Sequence, residues 1–135
     1  MHLTHSSLPL FDRFVEVPGI RLTALEALQL SLRLDLTRLF NARNGMTVSA
    51  YLDGAPTPRD YGLPDTLALS AQLAADLQRW ELVLTRAIAI YEPRLIHVRV
   101  TVMPDAANST SARVAIAALA QLRGQLCQFH FDTTL

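Results

Sequence analysis

Lysine is absent from this 135-residue sequence: all 12 basic residues are arginine, and 12 acidic residues balance them to a formal net charge of zero. A chain that neutralises many phosphates needs a basic excess or a basic run. Neither is present, which argues against nucleic acid as the main partner. Cysteine is reduced to Cys127, so no internal disulfide is possible. Long apolar runs are missing too. The leucine-rich segment from Leu25 to Phe40 is broken by Glu26, Arg33, Asp35 and Arg38, and falls short of the roughly 20 continuous apolar residues of a membrane span. Met1 to Leu10 has neither the positive start nor the apolar stretch of a secretory signal, so a cytoplasmic protein is expected.

Chemistry-bearing patterns are equally sparse. None of the 5 glycines lies within two residues of another, which excludes a glycine-rich phosphate loop. No Gly-x-Ser-x-Gly occurs, and Ser109 and Ser111 fall in a turn. His2, His5, His97 and His130 are scattered; His97 and His130 meet at best as two ligands, too few for a metal site. Glu92 is the most interesting carboxylate, but Arg94 stands two residues on and an extended chain points both side chains the same way. An ion pair or polar docking point suits them better than acid catalysis. No metal, cofactor or catalytic residue is expected.

What the sequence does have is apolar content, 50% of residues, enough to offset chain entropy in one domain. We expect a tail over 1–20 and a single domain over 21–135. Thr23 and Glu26 form a capping box, and Leu25, Leu28, Leu32, Leu36 and Leu39 then recur on one helical face, with Asn44-Gly45 as a left-handed stop. Leu30 and Leu34 form a second ridge on the far side. Either this helix is sandwiched within its own domain, or the ridge docks a partner.

From Met46 to Pro64, Gly54, Pro56, Pro58, Gly62 and Pro64 predict a long loop whose end, Asp60 to Asp65, packs. A second helix, capped between Asp65 and Ser70, presents Leu69, Leu73, Leu77, Trp80, Leu84, Ile88 and Tyr91 along one arc and ends at Pro93. The period then drops to two. Ile96, Val98, Val100 and Val102 face inward, followed by Val114, Ile116, Ala118 and Ala120, and then by Cys127, Phe129 and Phe131. Short turns join the three strands. The predicted fold is α+β: two main helices packed on one face of a small antiparallel β-meander. Its last strand, with Phe129, Phe131, Asp132 and Thr133, carries no proline or lysine to blunt it. That edge is either covered by the tail or open to strand addition.

Three segments in order carry a family resemblance: Asp60-Tyr61-Gly62-Leu63-Pro64-Asp65, then Tyr91-Glu92-Pro93-Arg94-Leu95, then Phe131-Asp132-Thr133-Thr134-Leu135. Leu10-Phe11-Asp12-Arg13 and Leu39-Phe40-Asn41-Ala42-Arg43 also sit where the family has similar runs. The sequence resembles the TssE family, small baseplate subunits of type VI secretion systems. These are similar to the small wedge protein of contractile phage tails, often labelled lysozyme-like.

The resemblance implies a structural role in a wedge with TssF and TssG, near TssK, under the first ring of the TssB/TssC sheath, in a baseplate docked to the inner membrane complex. It implies that Glu92, Pro93 and Arg94 help hold the wedge; we expect Tyr61, Gly62, Leu63, Pro64 and Asp65 to form the packed loop beside them. It also implies a sheet edge like that of sheath subunits, which exchange strands. One departure is Ala42-Arg43-Asn44, where the family often has Thr-Arg-Arg. The rival readings are a peptidoglycan hydrolase and a soluble regulatory adaptor on the same scaffold.

Overall fold

The computed structural model describes residues 15–17, 20–54, 57–66 and 69–135. Leu10 to Arg13, His2, His5, Pro56 and most of the expected tail lie outside them. A short antiparallel pair, β1 (Val15–Val17) and β2 (Ile20–Leu22), spans the expected boundary between tail and domain.

Thr23 opens α1 (Ala24–Asn41) as read: its hydroxyl accepts from the Glu26 amide and Glu26 Oε1 accepts from the Thr23 amide, both at 3.1 Å. Leu32, Leu36 and Leu39 are buried. Asn44-Gly45 does not stop this helix. Ala42 at the C-cap is already extended, and Arg43–Thr47 run on as β3, with Gly45 at φ 78° in an irregular register. The physical reason is a competing partner. The Ala42 carbonyl accepts from the Leu63 amide at 2.9 Å, so it is satisfied by the neighbouring strand rather than by a left-handed cap.

The long loop expected over 46–64 is mostly ordered structure. Thr47 caps the short helix α2 (Val48–Asp53), Thr57 caps a single 3-10 turn over Pro58–Asp60, and Leu63–Asp65 form β4, parallel to β3. Six residues show too little period to be read as a helix, and threonine caps supply the local bonds instead.

The second long helix, α3 (Ala74–Tyr91), starts later than its predicted cap. Asp76 Oδ2 reaches back to accept from the Ser70 amide at 2.8 Å, and Leu73, expected in the core, is 58% exposed just before the first turn. Val83, Leu84, Ala87 and Ile88 are fully buried. At about 1.5 to 3 kcal/mol for each large aliphatic side chain, this face anchors the fold. Glu92 caps the helix and Pro93 ends it.

Strands β5 (Leu95–Pro104), β6 (Ala112–Leu122) and β7 (Gln125–Thr134) make the antiparallel meander in the order β5-β6-β7. Arg123 and Gly124, both left-handed, turn β6 into β7 as a two-residue hairpin. The inward faces of β6 and β7 are as predicted. In β5, however, Ile96 points outward. His97 has φ 51° and the register slips between Ile96 and Arg99, so Leu95 faces the core before the bulge and Val100 and Val102 after it. The main contacts of α3 are with β5, while α1 reaches β7 through the edge-to-face pair Phe40–Phe131 at 6.2 Å.

Candidate partner-docking site

After α3 the chain does not run extended as expected but turns through Pro93 and Arg94, closed by the Leu95 amide donating to the Glu92 carbonyl at 3.2 Å. The Glu92 and Arg94 side chains meet across that turn. Arg94 donates to Glu92 from Nε to Oε1 at 2.7 Å and from Nη2 to Oε2 at 3.0 Å. The same guanidinium donates to Asp35 Oδ2 at 2.6 Å and to Ser31 Oγ at 3.2 Å, both on α1. Hydrogen bonding to Glu92 raises the Arg94 pKa further, so its charge is permanent. Glu92 is 3% exposed, whereas the Arg94 side chain is 40% exposed. Arg94 is therefore the face of the pair, and Glu92 is the buried anchor that aims it. The two carboxylates gathered here share one cation and do not oppose each other across a cleft.

The segment Tyr61 to Asp65 lies alongside. Leu63 and Pro64 are buried in β4 and Asp65 is exposed. Gly62, at φ 112°, has no room for a side chain: an added Cβ would sit 2.8 Å from the Ala42 carbonyl carbon and oxygen. Asn44 Nδ2 donates to the carbonyls of Asp60 at 2.8 Å and Gly62 at 3.3 Å, clamping the segment to β3. Tyr61 packs edge-on against Tyr91 at 5.2 Å, and Tyr91 donates to the Thr57 carbonyl at 2.6 Å. Desolvation raises the Tyr61 phenol pKa, with Arg38 opposing and Asp35 and Glu92 adding to the rise, so Tyr61 shares its surroundings with the Arg94 corner.

On α1, Ser31, Asp35 and Arg38 line the flank next to Arg94, and Asp35 also pairs with Arg38 at 3.4 Å. Leu30 and Leu34, 44% and 52% exposed, form the crest of the helix. Arg33 occupies the other flank, its Cζ 5.3 Å from the ring centroid of Phe129 on β7. One helix thus carries a charged corner on one side, an apolar ridge on top and the sheet margin on the other side.

The two margins of the sheet differ. Ala112 and Leu135 exchange both backbone hydrogen bonds, which fixes the phase of the β6–β7 ladder. The amides of Leu126, Gln128, His130, Asp132 and Thr134 therefore point away from β6, without partners among the described residues. On β5 the outward positions include Val102, whose amide donates to Glu81 Oε2 at 2.9 Å, and Pro104, which has no amide hydrogen. The His97 bulge interrupts the remainder.

Sequence reasoning singled out the Glu-Pro-Arg corner, the packed segment, the ridge and the last strand. It missed Ser31, Asp35 and Arg33, whose roles depend on how α1 lies against distant elements, and Asn44, which it read as a helix stop. Among the described residues no group of three or more His, Cys, Asp or Glu side chains is arranged to hold a metal ion.

Residues 26–125 match the family described as baseplate wedge protein gp25. A solved structure, "The baseplate complex from the type VI secretion system", contains a chain of similar fold, with a TM-score of 0.63 and 21% sequence identity. The alignment covers 82% of this chain and 93% of that one. No curated protein matches the sequence.

Proposed function

The chain belongs to the baseplate wedge protein gp25 family, and from that premise we propose that it is a structural subunit of a type VI secretion baseplate wedge, a coupling part and not a catalyst. The observation that carries this reading is the arrangement around α1, where a charged corner, an exposed leucine ridge and a strand edge whose outward amides have no partners among the described residues lie side by side. A substrate pocket is not what these residues build.

In this reading TssF and TssG dock at the corner. Arg94 makes the outward polar contact, Glu92 and Pro93 hold it in place, and Tyr61, Gly62, Leu63, Pro64 and Asp65 form the packed shoulder. Leu30 and Leu34 supply the apolar part of that interface, burying surface worth about 25 cal/mol per Å². TssK lies nearby in the assembled wedge. The β7 margin, with Phe129, Phe131, Asp132 and Thr133, receives a strand of the TssB/TssC sheath by edge addition, since main-chain bonding needs only open amides and carbonyls. The β5 margin is unsuited to that role because Glu81, Pro104 and the bulge already occupy or interrupt it.

No helix among the described residues is long and apolar enough to cross a membrane. We place the working protein on the cytoplasmic side, in a baseplate docked to the inner membrane complex. Copurification from cells expressing tagged TssF and TssG tests the assignment. The intact chain is expected to be retained with both, and Leu34→Asp, whose side chain supports no core contact, is expected to be lost from the complex. Undiminished retention of that variant would remove the ridge from the interface, and failure of the intact chain to copurify would overturn the assignment itself.

A further inference from the structure

We infer that Arg33 selects the strand that adds to β7, favouring a segment with a carboxylate on the face turned toward α1. This rests on the reading of β7 as the accepting edge and goes beyond it by naming what the incoming strand must carry. Arg33 is exposed, stands over Phe129 at 5.3 Å, and has no carboxylate partner among the described residues. The other arginines of α1 and its immediate surroundings are differently placed: Arg38 pairs with Asp35, Arg94 with Asp35 and Glu92, and Arg43 donates to the carbonyls of Phe40 and Ala42.

Phe129 is 2% exposed and belongs to the strand whose outward amides have no partners among the described residues. A strand added there would lie about 4.8 Å farther out, in the space flanked by Arg33. Alternate side chains of that strand would turn toward α1. One of them falls beside a guanidinium held over the Phe129 ring. A carboxylate at that position gains a charge-assisted bond; an ammonium meets like charge at close range. The backbone ladder would give affinity without regard to sequence, and Arg33 would supply the discrimination.

The test uses the full chain and three acetylated ten-residue peptides of alternating valine and threonine, with glutamate, valine or lysine at one central valine position. Binding is followed by amide chemical shifts and hydrogen exchange. All three are expected to protect Leu126, Gln128, His130, Asp132 and Thr134. The glutamate peptide should bind at least about fivefold more tightly than the lysine peptide, the size expected for a partly exposed ion pair. Arg33→Gln should abolish that ratio while leaving the valine peptide's affinity within about twofold. Protection of β7 with a ratio that survives in Arg33→Gln would overturn the Arg33 inference alone. Absence of protection along β7, or protection along β5 in its place, would overturn the edge reading and this inference with it.

Discussion

Arg94 encloses the carboxylate of Glu92 with two parallel hydrogen bonds while a third and fourth bond run from the same guanidinium to Asp35 and Ser31 on α1. This contact fixes the junction of α3 and β5 against the first long helix. It also means that the outward-facing charge of the corner is part of the fold's own bracing.

Removing Arg94 is therefore expected to affect stability as well as docking. Arg94→Ala leaves the buried Glu92 carboxylate without its donors, a loss of about 1 to 3 kcal/mol. Glu92→Gln in the same background should recover part of that loss, because a neutral amide is less costly to bury than an unpaired charge. Urea unfolding of the two single variants and the double variant checks this, and a cycle with no coupling between the sites would refute the bracing role.

Gly62 and Gly124 both have left-handed backbone, but only Gly62 is crowded. Gly124→Ala should cost about 1 kcal/mol, the ordinary penalty for that conformation. Gly62→Ala must in addition push the Ala42 backbone away from β4, and should cost about 3 kcal/mol or more. Thermal denaturation of the pair separates strain from crowding, and equal shifts in Tm would contradict the difference.

Tyr51 is fully buried and its hydroxyl has no hydrogen-bond partner among the described residues. Burial pushes its pKa up to about 12 from the ordinary 10. A raised phenol pKa means that the unfolded chain loses its proton first. The associated stability is complete below pH 10 and disappears as pH rises toward 12. Tyr51→Phe should remove much of this alkaline loss and cost less than about 1 kcal/mol at neutral pH, since the deleted hydroxyl bonds to nothing. Unfolding midpoints measured from pH 8 to 12 report both effects.

Glu81 protects the β5 margin through the Val102 amide. In Glu81→Ala that amide loses its acceptor, and its hydrogen exchange is expected to accelerate about tenfold while the Val114 amide, inside the sheet, changes little. Uniform acceleration would indicate general destabilisation instead.

Much of this architecture was legible because periodicity is local. The capping box at Thr23 and Glu26, the leucine stripe of α1 and the alternation of β6 and β7 each follow from residues a few positions apart. The misses share a different cause. Asn44-Gly45 looked like a helix stop, but the Leu63 amide, about 20 residues away, offered the Ala42 carbonyl a strand partner. Ile96 fitted the alternation of β5 until His97 took a left-handed conformation and reversed it. For the candidate site, Glu92 and Arg94 could be paired from sequence, but Asp35 joins them only through the packing of α1 against the β5 junction.

The unequal margins of the three-stranded meander give the molecule a polarity. If β7 accepts a strand as proposed, the sheet is lengthened from that flank, while Glu81 and Pro104 hinder addition at the other. A stack started on it would then have a defined origin and a single direction of growth.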